Sequence, residues 1–287
     1  MKTLITILIV LVFAPIVGCL LAGLDRKLTA HLQSRVGPPL LQPFYDFLKL
    51  MNKENIVVNK SQNAYIFIYF IFAVTSLILL ATGSDLLMII FVYTIANVAL
   101  IVGGMVTGSP YSKIGSQRET MAMLAYEPVL ILYIIGMYML TGSFNISSLN
   151  NASKPMIMYL PVIFIAMLFI MAVKFKKSPF DFSTSHHAHQ ELVKGIFTEY
   201  SGPALALVEL THWYEYVFLL GLMFLFFKQN IAVGIIIALF TFILEIVIDN
   251  ITARLTWKWL VKVTWTIVIG LSIVNILFVY FLKLTIV

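Results

Sequence analysis

Apolar residues run almost unbroken through eight stretches of the chain, roughly residues 3–24, 64–82, 86–107, 119–141, 156–174, 203–227, 231–250 and 263–284. A helix of that length, rising ~1.5 Å per residue, crosses the ~30 Å hydrocarbon core of a bilayer. None of the stretches breaks into the alternating ten-residue segments of a membrane β-barrel. The pattern therefore predicts an all-α integral membrane protein with eight transmembrane helices, forming one membrane domain over residues 1–287. Polar connections fall at about 25–63, 108–118, 175–202 and 251–262, and they alternate with short or uncharged links such as TGSD, GSFNISSLNNASKP and FKQN. The first stretch, about 22 residues, outlasts a signal-peptide core, so it reads as an anchor whose helix ends at Asp25-Arg26-Lys27.

Two connections carry a pattern of their own. In PLLQPFYDFLKLMNKE, Leu41, Phe44, Leu48 and Met51 recur at helical spacing while Asp46, Lys49 and Lys53 face away. Such an amphipathic helix is too short to span. It fits the membrane surface, or alternatively a partner protein packed against its apolar stripe. The connection KFKKSPFDFSTSHHAHQELVKGIFTEYSGP is longer than an ordinary loop, which marks it as a binding or functional segment.

Composition agrees with the pattern. Of 287 residues, 61% are hydrophobic and 11% charged, against about 25% charged in soluble domains. Fifteen of the 19 Lys and Arg fall in the connections after the first, third, fifth and seventh stretches. Positive charge stays on the cytoplasmic side, so those connections are cytoplasmic and both termini lie outside. The +6 net charge then needs no nucleic acid to explain it. With the single cysteine, Cys19, inside an apolar stretch, the chain has too few thiolates for an iron–sulfur cluster, and any redox metal belongs to a partner.

Ionisable residues at bilayer depth cost at least ~2.5–3.5 kcal/mol each and are functional candidates by default. Glu127 lies eight residues past Glu119, about 12 Å along the helix. Glu209 lies ten residues past Glu199, about 15 Å in. His212 and Glu215 follow at steps of three, and Glu245 and Asp249 form an i, i+4 pair. These acids, with Glu199 at the mouth of the sixth stretch, form the candidate ion path; a structural hydrogen-bonding role is the alternative for any one of them. The sequence Glu209-x-x-His212 is half of a di-iron motif without its second copy, and the histidine run lacks a zinc context, so no metal is assigned.

Three motifs in register carry a resemblance. LDRKLTAHLQSRVGPPLLQPFYDFLKLMNKE, GSQRETMAMLAYEP and FTEYSGPALAL resemble the first, third and fifth cytoplasmic loops of the membrane subunit shared by respiratory complex I, where it is subunit 1, and energy-converting [NiFe] hydrogenases. Complex I subunits read Arg-x-Gly-Pro-Asn in the first loop. Here Arg35, Gly37, Pro38 and Pro39 resemble the hydrogenase branch, as do His187 and His189 where complex I carries acids. The resemblance implies an anchor for a cytoplasmic arm that oxidises a ferredoxin-like donor and reduces protons, coupled to movement of H⁺ or Na⁺. Arg26, Arg35, Gly37, Pro38, Arg118, Asp181, His187, His189 and Glu191 would face that arm. The [NiFe] centre and iron–sulfur clusters would sit on the hydrogenase large and small subunits and on iron–sulfur subunits, with antiporter-like subunits alongside in the lipid. The cell would be a bacterium or archaeon, and the membrane its cytoplasmic one. A quinone-reducing complex I and a stand-alone ion transporter are the competing functions.

Overall fold

The computed structural model describes residues 2–56, 59–151, 155–183 and 194–286. Among these residues the regular structure is helical: α1 (Lys2–Leu32), α2 (Gln42–Met51), α3 (Lys60–Thr82), α4 (Leu86–Met105), α5 (Pro110–Thr141), α6 (Pro161–Lys174), α7 (Gly202–Phe224), α8 (Ile231–Ile251), α9 (Trp257–Val263) and α10 (Ile269–Ile286). A π-helical stretch, Thr264–Val268, joins α9 to α10. Short connections are closed by side-chain caps. Asp85 accepts from Leu87 N and Met88 N at the start of α4, and Asn230 accepts from Val233 N at the start of α8, satisfying helix N–H groups that have no partner within their own helix.

Seven of the described helices are long and apolar enough to cross a membrane. The fifth expected stretch, 156–174, does not form one membrane-length helix. It divides into a 3₁₀ turn, Met156–Met158, and the 14-residue α6, which is about 21 Å long. Pro161 is the physical reason: its ring excludes a helical conformation at Leu160 and removes an N–H. Ile163, Met167, Ile170 and Met171 of α6 are fully buried, so neighbouring helices sheathe it.

A second correction concerns α1, which runs on through Asp25, Arg26 and Lys27 to Leu32. Charge ends a membrane span without ending a helix, because Lys and Arg are good helix formers in water.

The bundle is organised around α7, which packs against α1, α2, α3 and α8. Close approach to α1 depends on Gly18: a Cβ there would overlap the backbone carbonyl of Trp213, and small residues are what let membrane helices touch backbone to backbone. Helix α2 lies across the same region. Its Phe47 ring sits 5.6 Å from Trp213, and Arg26 of α1 pairs with Asp46. Phe44, Leu48 and Met51 of α2 remain exposed.

Candidate functional site

The buried charge collects in two places, one on each side of α7. The first is a cavity of about 660 Å³ at the end of the bundle that carries the basic connections. Its walls come from the second half of α1, the segment after α6, the first half of α7 and the end of α8. Glu209 and His212 face into it from α7, with Trp213 and Tyr216 beside them. The rest of the rim is net basic: three acids, Asp25, Asp181 and Asp249, stand against five bases, Arg26, Lys176, Lys177, Lys194 and Arg254.

The segment after α6 is fixed to the bundle by its polar groups. Lys177 Nζ donates to Asp25 Oδ1 of α1 at 2.6 Å. Ser178 N donates to Asp249 Oδ1 of α8 at 2.8 Å, and Leu255 N donates to Pro179 O at 2.8 Å. Arg254 pairs with Asp181. The ring of Phe197 packs edge-on to His212 at 5.4 Å, with Lys176 Nζ 4.1 Å from the Phe197 centroid.

Asp181 lies outside the membrane-spanning segments. Burial pushes its carboxyl up to about 6, while Arg254 pulls the other way. An unfolded aspartate titrates near ~3.9, so the folded chain holds this proton more tightly. The resulting stability is full below pH ~4 and is lost as pH rises through about 6. Asp181→Asn should therefore flatten the pH dependence of the melting temperature in that window. An unchanged slope would rule out Asp181 as its source.

The second cluster lies on the other side of α7. From Glu209 to Glu215 the helix turns by six residues, which points the two acids ~120° apart. Glu215 is buried and accepts from Tyr93 OH of α4 at 3.3 Å. Near it, Lys174 at the end of α6 donates to Asn97 Oδ1 at 2.6 Å and to Tyr126 OH at 3.3 Å. Its ammonium also sits 4.7 Å from the Tyr93 ring centroid and 4.8 Å from that of Tyr126. Glu119 and Glu127 of α5 and Glu215 all act on Lys174 electrostatically. Glu127 also faces Thr94.

Of the acids expected to form one path, the structure thus brings Glu209 and Asp249 to the cavity, and Glu127 and Glu215 to the Lys174 cluster. Glu245 is buried on α8, where Lys177 and Asp249 are its charged neighbours. Glu199 lies half-buried between Phe197 and α7 and is not part of the cavity wall.

The residues expected to face a cytoplasmic arm also separate. Arg35 is exposed. Gly37 backs onto Lys27 and Ala30 of α1, with Pro38 following it. Arg118 reaches Phe182 O at 3.3 Å, and Asp181 is engaged by Arg254. His187, His189 and Glu191 lie outside the described residues.

Sequence reasoning missed Lys174, Lys177, Asp25, Asn97, Tyr93 and Tyr126. The two lysines end an apolar stretch in the run KFKK, where basic residues ordinarily mark the membrane edge. No local signal separates a lysine that turns inward from one that turns out.

The chain matches the NADH dehydrogenase family over residues 5–280. It is 32% identical to an NADH-quinone oxidoreductase subunit of Bacillus cytotoxicus, over 75% of this chain and 70% of that protein. It is 26% identical to hydrogenase-4 component C of Escherichia coli (strain K12), over 92% of this chain and 91% of the relative. Formate hydrogenlyase subunit 4 of the same organism is also 26% identical, over 87% and 90%. Among solved structures, a chain of the membrane-bound sulfane sulfur reductase, an archaeal respiratory membrane complex, superposes with a TM-score of 0.85 at 24% identity. That superposition covers 97% of this chain and 100% of the other and speaks to the fold. The seven long apolar helices and the family match together lead to one conclusion: this chain is a multi-pass membrane protein that belongs to the NADH dehydrogenase family.

Proposed function

We propose that the chain is the anchor and coupling subunit of an energy-converting [NiFe] hydrogenase, joining redox chemistry in a cytoplasmic arm to movement of H⁺ or Na⁺. The observation that carries the coupling role is the placement of charge on α7. Glu209 and His212 face a cavity on the side of the basic connections, while Glu215 of the same helix faces a buried lysine and two further acids. Buried ionisable groups are costly in a membrane, and a single helix bearing them on two faces links the arm side to the bundle interior. For the hydrogenase branch the support is the Arg35-Val36-Gly37-Pro38-Pro39 run, together with the likeness to hydrogenase-4 component C and formate hydrogenlyase subunit 4 over 92% and 87% of this chain.

In this reading the chain carries no redox centre, in keeping with its one cysteine, Cys19. The [NiFe] centre and clusters sit on partner subunits, a ferredoxin-like protein donates electrons, and antiporter-like subunits continue the path in the membrane. The test is gentle purification: nickel, iron–sulfur clusters and hydrogen evolution should accompany the chain. A second reading has its own support. Identity to the NADH-quinone oxidoreductase relative reaches 32%, and the cavity has aromatic walls, Phe175, Trp213 and Tyr216. Flavin, NADH oxidation and quinone reduction in the purified complex would establish that reading instead.

The topology belongs to the same proposal. Eight passes, with α6 and its preceding turn together making the fifth, place both termini outside the cytoplasmic membrane. The exposed Phe44, Leu48 and Met51 of α2 then rest in the headgroup region. Cysteines at the exposed positions Lys53 and Asn150 should react with an impermeant maleimide from opposite sides; the native Cys19 is buried and does not compete. Labelling of both from one side would refute the arrangement.

Docking of the arm gives a further expectation. Arg35 is exposed, and a guanidinium can bind a carboxylate through two parallel hydrogen bonds. Arg35→Ala should release hydrogenase activity into the soluble fraction on membrane washing, by ~5- to 10-fold if the contact contributes about 1–1.4 kcal/mol. Retention equal to the parent complex would exclude Arg35 from docking.

A further inference from the structure

The buried lysine at the end of α6 has surroundings unlike those of an ordinary ion pair. Among the described residues Lys174 makes no direct salt bridge. Its ammonium is held instead by neutral groups: the Asn97 carbonyl at 2.6 Å, the Tyr126 hydroxyl at 3.3 Å, and the ring faces of Tyr93 and Tyr126. Around this cage stand three carboxyl groups from two helices, Glu119 and Glu127 on α5 and Glu215 on α7. Glu215 joins the cage through Tyr93, whose hydroxyl donates to it at 3.3 Å. Tyr69 of α3 also faces Glu215, and Lys176 of the following segment is the other cation that acts on Lys174.

A lysine fastened by a salt bridge would neutralise one acid and leave the others alone. A lysine fastened by a carbonyl, a hydroxyl and two rings keeps its charge available to all three. Charge is costly in this interior, so the near-neutral arrangement of the cluster is favoured. With one ammonium and three carboxyl groups, neutrality means two protonated carboxyls and one carboxylate. Without the ammonium, neutrality means three protonated carboxyls and no acceptor among them.

We propose that Lys174 is the positioning cation of the intramembrane proton route, holding one of Glu119, Glu127 and Glu215 ionised so that a proton can always be accepted. The step is a proton transfer and nothing more. A carboxylate oxygen gains the O–H bond that a neighbouring carboxylic acid loses. A proton taken up at Glu215, on the helix that also lines the cavity, is balanced by one released from Glu127 or Glu119. Tyr93 touches both partners, its hydroxyl donating to Glu215 and its ring facing the ammonium. This inference rests on the coupling role proposed above and names the residue that keeps its route conducting.

The experiment uses the assembled complex in membrane vesicles. Hydrogen evolution is driven by reduced ferredoxin, and the gradient is read by quenching of a ΔpH-sensitive dye across a series of pH values. Lys174→Gln should lower the gradient formed per hydrogen evolved at least tenfold and displace its pH profile, whereas Lys174→Arg, which keeps the positive charge, should return it to within threefold of the parent. If Lys174→Gln keeps both gradient and profile while Glu127→Gln has lost its gradient, the role of Lys174 is overturned and the coupling route stands. If Glu127→Gln and Glu199→Gln also keep their gradients, the coupling reading itself has failed. Should Lys174→Gln not assemble, Asn97→Leu removes the shortest of the Lys174 hydrogen bonds and keeps the lysine. A displaced pH profile in that variant supports the proposal, and an unaltered one overturns it.

Discussion

Glu127→Gln in an otherwise assembled complex is expected to cut gradient formation per turnover by ~100-fold, the scale on which a positioned proton-transfer group contributes. Glutamine keeps the shape of the side chain and its capacity to face Thr94, so packing on α5 should survive while the exchangeable proton is lost. The substitution also leaves Lys174 with two acids in place of three, which removes a member of the cluster without leaving the ammonium wholly uncompensated. Glu199→Gln should act at the other end and more weakly. Glu199 lies half-buried ahead of α7, outside the cavity wall, where a carboxylate gains only ~0.3–1 kcal/mol from the positive end of a helix. Dye quenching normalised to hydrogen evolved measures both. If the two variants build normal gradients, the carboxylate route is wrong.

The second large effect is expected at the Lys177–Asp25 pair. Lys177 is 5% exposed and Asp25 19%, with 2.6 Å between their charged atoms. Removing one partner of a buried pair typically costs about 3–5 kcal/mol because the other charge is stranded. In Lys177→Met the stranded Asp25 carboxylate would face Asp249, and Glu245 would lose Lys177 as its charged partner. The segment 175–183, which joins α1, α8 and Arg254 through Lys177, Ser178 and Asp181, should then loosen and the cavity lose a wall. Differential scanning fluorimetry in mild detergent should show a clear drop in melting temperature for Lys177→Met. The double variant Asp25→Asn with Lys177→Met should recover most of it, because both charges are gone. Equal losses in the single and double variants would show that the lysine stem, and not the ion pair, supplies the stability.

Both predictions depend on contacts that the chain does not announce locally. The hydrophobic pattern alone placed three helices closely: the expected stretches at 86–107, 203–227 and 231–250 lie within two residues of the helical ends, once the 3₁₀ turn Leu225–Phe227 is counted with α7. It missed the polar first turns of α5, which starts at Pro110 inside the expected connection 108–118, because polar residues outside the lipid can be helical without being apolar. It also determined which acids stand at bilayer depth, Glu127, Glu209, Glu215 and Glu245; the packing buries Glu215 and Glu245 and leaves Glu127 and Glu209 half-buried. Glu199 was legible as the acid ahead of a helix start, because Gly202-Pro203 marks that start in sequence. The same start makes Ser201 the expected N-cap, and it occupies that position, but its hydroxyl does not cap the helix: it accepts from Ile56 N and donates to Ile56 O, tying α7 to the segment after α2.

Partnership was decided only by the tertiary structure. In soluble helices a 3.6-residue period reveals the buried face, but membrane helices are apolar on every face, so the period carries little orientation. Nothing in the run FIMAVKFKKSPFD therefore says that Lys174 turns inward to Asn97 and Tyr126 while Lys177 crosses to Asp25. Those choices involve residues 48 to 152 positions away in sequence, and they are made where α5, α8 and α10 pack on α6 and α4 and α1 present Asn97 and Asp25 to the lysines. The six-residue spacing already turns Glu209 and Glu215 ~120° apart on α7, and the packing decides that the first meets the cavity and the second Tyr93. Composition and pattern fix a membrane helix and the cost of its acids. Which charge meets which is fixed by the angle at which neighbouring helices pack, and that angle is set by contacts between residues far apart in the chain.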